Sequence, residues 1–156
     1  MSETAIVKKL SDLIPPHIMD VSVLREGQIL VQVSKDHLRN VIASLKDEGF
    51  THLVGITALQ TENGFELLYH LSKAGTLLTV RIDLPLDDDV APTITDIIPG
   101  ALLYEREAHD LFGIKFEGHP DLKPFILPDN WPADVYPLRK GKAEEKKKNE
   151  TQSKRV

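Results

Sequence analysis

The sequence predicts an α+β fold: a single domain with a mostly antiparallel or mixed sheet, helices packed on one face of it, and an extended proline-rich C-terminal arm. Three observations carry this prediction. Residues 51–84 alternate between polar and apolar at strand spacing and are cut by two turn signals, Asn63-Gly64 and Lys73-Ala74-Gly75. Two stretches before that block and one after it carry apolar residues at helical spacing. Half of the ten prolines fall at 120, 124, 128, 132 and 137, a spacing that forbids helix and favours extended backbone.

Along the chain, residues 3–14 place Ile6, Leu10, Leu13 and Ile14 on one helical face, and Pro15 and Pro16 stop the pattern. The run "DVSVLREGQILVQVS" alternates through two short strands with a turn near Glu26 and Gly27. A second helix follows, with Ser34 placed to cap it, Leu38, Val41, Ile42 and Leu45 as its apolar stripe, and Gly49 where a left-handed residue belongs. Three strands come next, over 51–61, 65–72 and 76–84; "NG" marks the first hairpin and "KAG" suits a three-residue second connection. In the last strand Leu78, Val80, Ile82 and Leu84 face one way, and Thr79, Arg81 and Asp83 the other. One side of the sheet is therefore covered by helices, and the other is wet or meets a partner. After the acidic loop "PLDDDVAP", Pro99 opens a third helix over 101–112. The expected organisation is an α+β domain over 1–113, a docking arm over 114–140 and a disordered basic tail over 141–156.

Composition narrows the chemistry. The chain has no cysteine, so disulfides, cysteine-ligated iron–sulfur clusters and thiolate nucleophiles are excluded. The formal charge of −5 divides into +5 over residues 139–156 and −10 over the rest, and an acidic body argues against nucleic acid as a partner. No apolar run approaches the length of a membrane-spanning helix, and the first residues lack the apolar segment of a signal peptide, so a soluble, cytosolic chain is expected.

The densest stretch is "YEREAHDLFGIKFEGHPDLKPFILP" at 104–128. On a helix, Ala101, Tyr104, Ala108 and Leu111 form a core stripe, which leaves Glu105, Arg106, Glu107, His109 and Asp110 on faces that read most simply as solvated. Gly113 ends the helix. The arm beyond carries Phe116, Leu122, Phe125, Ile126, Leu127 and Trp131, each worth about 1.5 to 3 kcal/mol if fully buried. A row of this kind calls for a cover, supplied in part by the domain itself and for the rest by a partner. Within "GHPDL", Gly118 allows unusual backbone angles, Pro120 fixes φ and Asp121 can bond nearby backbone, which makes a rigid corner presenting His119 and Asp121.

Glu107, His109, Asp110, His119 and Asp121 have the donor chemistry for zinc or non-haem iron, but no HExxH and no pair of histidines one turn apart is present. Glycine-rich phosphate loops and nucleophile triads are likewise missing from the sequence. The reading from residues is a docking surface, with no catalytic, cofactor-binding or metal residues assigned. A stand-alone metal-dependent enzyme using His109, His119 and the nearby acids is the alternative, and a generic interaction module a third.

"EREAHDLFGIKFEGHPDL" at 105–122, followed by "YPLRK" at 136–140, resembles the signature of the C-type subunit of NADH-quinone oxidoreductase, the thirty-kilodalton subunit family of respiratory complex I, which has relatives in membrane-bound energy-converting hydrogenases. The resemblance implies a hydrophilic subunit without cofactors of its own, non-catalytic, that docks and stabilises a large catalytic subunit of an ion-translocating membrane oxidoreductase. Iron–sulfur clusters, and nickel–iron or quinone chemistry, belong to the partner subunits in that family. It also implies a peripheral place on the cytoplasmic side of the membrane, reached only through the complex. The residues that carry the motif are then expected at a subunit interface: Glu105, Arg106, Glu107, Asp110, Phe112, Gly113, Phe116, Gly118, His119, Pro120, Asp121 and Leu122, with Trp131, Pro137 and Arg139 behind them. Leu103, and Lys123 with Pro124, depart from the family pattern and direct the expectation toward a compact prokaryotic relative of hydrogenase type.

Overall fold

The computed structural model describes residues 3–13 and 18–140. The helix stop at Pro15 and Pro16 and the basic tail expected over 141–156 lie outside the described residues.

Helix α1 (Glu3–Leu13) leads into strands β1 (Ile18–Arg25) and β2 (Gln28–Val33), and helix α2 covers Leu38–Asp47. Strands β3 (His52–Thr61), β4 (Gly64–Lys73) and β5 (Thr76–Pro85) follow, then β6 (Val90–Pro92), helix α3 (Ala101–Phe112) and β7 (Lys115–Glu117). The main sheet has five strands in the order β1-β2-β5-β4-β3. Every neighbour is antiparallel except β2 and β5, which run parallel because α2 and the β3-β4 hairpin lie between them in the chain. β6 and β7 make a separate two-stranded parallel ribbon.

Alternation puts Ile29, Val31 and Val33, Phe65, Leu67, Tyr69 and Leu71, and Leu78, Val80, Ile82 and Leu84 on one buried face. Ile6 and Leu10 of α1, the Leu38, Val41, Ile42 and Leu45 stripe of α2, and Ala101, Ala108 and Phe112 of α3 close over it as one core. The opposite face mixes polar residues with Leu30, Leu59, Leu68 and Leu77. There Thr57, His70 and Thr79 are hydrogen-bonded in a row at 3.0 and 2.9 Å, and Gln32 donates to Asp83 at 2.8 Å while accepting from Arg81.

Three local expectations are corrected. Ser34 makes no side-chain cap; a 3-10 turn over Lys35–His37 precedes α2, and the His37 N–H bonds the Ser34 carbonyl at 3.1 Å, so backbone takes the place of the hydroxyl. The β3-β4 turn is centred on Glu62 and Asn63, with Gly64 already paired to Thr61. Gly64 is required by proximity, since a Cβ there would lie 1.9 Å from the Leu84 carbonyl oxygen. The β4-β5 connection is two residues long, Ala74 at φ +46 and Gly75 at φ +83, because the strand twist of a tight hairpin demands positive φ at both positions.

Candidate functional site

Helix α3 ends as the sequence predicts: Gly113 adopts φ +74 and its N–H bonds the His109 carbonyl at 2.8 Å. Its charged faces are corrected. Glu105 and Asp110, expected in solvent, are 0% and 3% exposed, and the buried row is Ala101, Glu105, Ala108, Asp110 and Phe112. Tyr104 and Leu111, expected in the core stripe, are half-buried at its edge. The reason lies in what packs on the helix. The loop after β6 covers Glu105, and the arm after β7 covers Asp110, so each carboxylate is buried against donors rather than against apolar atoms.

Glu105 accepts from the Thr93 hydroxyl at 2.6 Å and from the Ile94 N–H at 2.8 Å. Burial pushes its carboxyl up to about 7, against the pull of those two hydrogen bonds. Beside it, Arg39 grips Asp96 through two bonds of 2.7 and 2.6 Å and also donates to the Thr93 carbonyl, which holds Asp96 down to about 2. His119 has its ring fully enclosed. Its Nδ1 accepts from the Asp121 N–H at 3.0 Å, so the proton sits on Nε2, which donates to the Leu102 carbonyl at 3.1 Å. The Glu105 carboxylate is 3.9 Å from that same nitrogen. The "GHPDL" corner is thus pinned to α3 by the histidine it was expected to present outward. Asp121 and Leu122 are half-buried, while Gly118 and Pro120 are exposed.

Asp110 holds the arm. Its Oδ2 accepts the N–H groups of Phe125, Ile126 and Leu127 at 2.7, 2.8 and 3.3 Å. One turn earlier on the helix, Arg106 donates to the carbonyls of Lys123 and Pro124 at 3.0 and 2.9 Å, and its guanidinium lies 5.4 Å from the Phe125 ring centre. Farther along, the Leu138 N–H bonds the Leu111 carbonyl at 2.9 Å, and Arg139 pairs with Asp89 at 3.2 Å over the Phe65 ring. The Tyr136 ring covers Gly113, where a Cβ would lie 2.5 Å from it. Phe112 and Phe116 are core residues, and Trp131 donates its indole N–H to the Val135 carbonyl at 2.7 Å.

The residues expected at an interface therefore fall into two groups. Glu105, Arg106, Asp110, Phe112, Gly113, Phe116, His119 and Arg139 act inside the chain. Exposed or half-exposed around them are Glu107, Gly118, Pro120, Asp121, Leu122, Trp131 and Pro137, joined by Leu103, Phe125, Ile126 and Leu138. Sequence reasoning does not reach the partners Thr93, Arg39, Asp96 and Asp89, which have no periodic signal. His109 bonds the Ile114 carbonyl at 2.8 Å, and among the described residues no three His, Asp or Glu side chains converge as metal ligands. The arrangement is suited to holding an apolar arm rigidly, with Phe125, Ile126 and Leu138 each about half exposed (47, 49 and 51%).

Comparison with known proteins supplies the context. The model of the respiratory-chain NADH dehydrogenase 30 kDa subunit family matches residues 31–148. The NADH-quinone oxidoreductase C-type subunit of Moorella thermoacetica is 37% identical over 113 residues, 69% of this chain and 75% of that protein. The C/D-type subunit of Gluconacetobacter diazotrophicus is 34% identical over 147 residues, 85% of this chain and 24% of that protein. The C-type subunit of Azorhizobium caulinodans is 34% identical over 73% of this chain and 56% of that protein. The chain thus spans about a quarter and about half the length of the latter two relatives. Among solved structures, a chain of the membrane-bound sulfane sulfur reductase, an archaeal respiratory membrane complex, aligns with TM-score 0.80 and 33% identity, covering 94% of this chain and 91% of that one. A fragment of Nqo5 aligns with TM-score 0.66 and 28% identity, covering 78% and 100%.

Proposed function

The chain belongs to the family of the respiratory-chain NADH dehydrogenase 30 kDa subunit, and from that premise we propose that it is a non-catalytic subunit of a complex-I-like, ion-translocating oxidoreductase that docks and stabilises the large catalytic subunit. The observation that carries the reading is the division of labour on α3. Asp110 and Arg106 fasten the arm's backbone, leaving Phe125 and Ile126 held rigid and half exposed. Such a face loses little conformational entropy when it is covered, which is what a permanent interface requires.

The partner is a D-type subunit, with iron–sulfur subunits beyond it. In the Gluconacetobacter relative this chain aligns with 24% of a single protein whose name joins C and D. That joined name is the support for placing a D-type subunit beside this chain. The chain brings no cofactor of its own; iron–sulfur clusters and nickel–iron or quinone chemistry belong to the partners. Attachment to the cytoplasmic side of the membrane is peripheral and passes through the complex in this reading; among the described residues no helix is long and apolar enough to cross a membrane. The likeness to the archaeal sulfane sulfur reductase chain supports a compact branch of the family.

Affinity purification of the tagged protein from its native membranes in mild detergent, with mass spectrometry and iron and nickel assays of the eluate, tests this. Recovery with a D-type subunit and iron–sulfur partners is expected, and nickel would select the hydrogenase branch. Recovery of the chain alone from the soluble fraction would overturn the proposal.

A further inference from the structure

Glu107 is the one acid of the "ERE" segment that the fold leaves unused. Glu105 bonds the loop after β6, and Arg106 clasps the arm. Among the described residues the Glu107 carboxylate has no hydrogen bond and no cation beside it. It stands at a cleft of about 210 Å³ between α3 and β3, whose other lining includes Ile56, Ala58, Leu111, Phe112 and Leu138. One turn away on the same face of α3, Leu103 is 45% exposed, and Leu138 at the rim is half exposed.

We propose that this cleft is the socket for a cationic side chain of the partner subunit, with arginine the best fit. Charge and shape complementarity both favour such an occupant. A carboxylate in a cleft of mixed lining suits a side chain whose methylene stem packs on Ile56, Leu111 and Leu138 while its charged head stays with Glu107. Guanidinium is more weakly hydrated than ammonium and pairs with a carboxylate through two parallel bonds, so it is less costly to enclose there. Covering the cleft would also bury Leu138, which lines it, and a partner reaching past Glu107 along α3 would meet the exposed Leu103 one turn away, in the pattern of an anchor flanked by apolar contacts. The inference rests on the assembly role proposed above and adds the chemistry of one contact to it.

The test uses the intact complex. The chain contains no cysteine, so Leu103→Cys carries a single benzophenone-maleimide label one helical turn from Glu107 while Glu107 stays in place. Cross-links formed in native membranes are mapped by mass spectrometry, and complex recovery is measured at low and high salt for Glu107→Gln and Glu107→Arg. Thermal melts of the two purified variants verify that both fold. The expected result is a cross-link to a partner segment carrying arginine or lysine, about tenfold weaker recovery for Glu107→Gln, and a larger loss for Glu107→Arg. Changing the mapped partner residue to Glu should restore the Glu107→Arg complex. Cross-links to residues 142–156 of this chain, to a partner segment without a basic residue, or equal recovery of all variants would overturn the socket while leaving the assembly role intact. Failure of the unsubstituted chain to bring down any subunit would instead overturn the assembly role, and the socket with it.

Discussion

The Asp110 carboxylate lies 2.7 Å from the amide nitrogen of Phe125, fifteen residues on, and the same oxygen takes the next two amides as well. Three successive N–H groups aimed at one buried carboxylate convert an arm with little secondary structure of its own into a fixed part of the domain. Asp110→Ala leaves those donors unsatisfied and should lower stability by about 2 to 4 kcal/mol in urea unfolding. Amide exchange at 125–127 should accelerate, and Asp110→Asn, which keeps an acceptor oxygen, should lose less. Unchanged exchange in Asp110→Ala would show that the arm is held by something else.

Glu105 sets a pH dependence of stability. Its carboxyl titrates near 7 in the folded chain against an ordinary 4.5, so folding costs most when the group is ionised. Between these values the folded state holds a proton that the unfolded state has released. Stability therefore rises as pH falls from about 7 toward 4.5, and the cost is fully present above 7. Glu105→Gln removes the ionisation and can still pair with Ile94 and Thr93. It should raise stability at pH 8 by roughly 2 to 3 kcal/mol and flatten the profile between pH 5 and 8. Parallel profiles for the two proteins would contradict the assignment.

Legibility in the sequence depends on the kind of partner each residue has. The Leu78, Val80, Ile82 and Leu84 alternation and the Gly49 and Gly113 stops are one-dimensional signals, and both glycines take positive φ as expected. A helical wheel assigns charge to water, and so it misplaces Glu105 and Asp110. Their donors are backbone N–H groups and a threonine in patternless loops, which no spacing rule detects. Arg39 and Asp96 are likewise joined across 57 residues by topology alone. Ala74 misleads for a different reason: alanine seldom occupies a left-handed turn position, so the sequence suggests a longer connection there.

The same turn can be improved. Ala74 is exposed and carries φ +46, and asparagine tolerates this conformation better than alanine does. Ala74→Asn should therefore stabilise the chain by about 0.5 to 1 kcal/mol, visible as a higher urea midpoint at unchanged slope. A lower midpoint would mean that the turn is not of the tight type described.

Gly113 joins the helix end to the arm. Alanine there meets two penalties, positive φ and a Cβ 2.5 Å from the Tyr136 ring. Gly113→Ala should cost about 2 to 3 kcal/mol. The double variant Gly113→Ala with Tyr136→Ala should show less than the sum of the two single losses, because the clash disappears with the ring. Additive losses would place the whole cost in the backbone.

Ile126 separates fold from assembly. Its N–H is held by Asp110, yet its side chain is 49% exposed. Ile126→Gln keeps the backbone bond and gives up only a half-buried apolar surface, so stability of the free subunit should change by less than about 0.5 kcal/mol. If a partner covers that side chain, the desolvation lost at the interface is larger, and recovery of the complex in detergent should fall roughly tenfold. A melt that drops in step with recovery would assign Ile126 to the fold; recovery that drops alone would assign it to the interface.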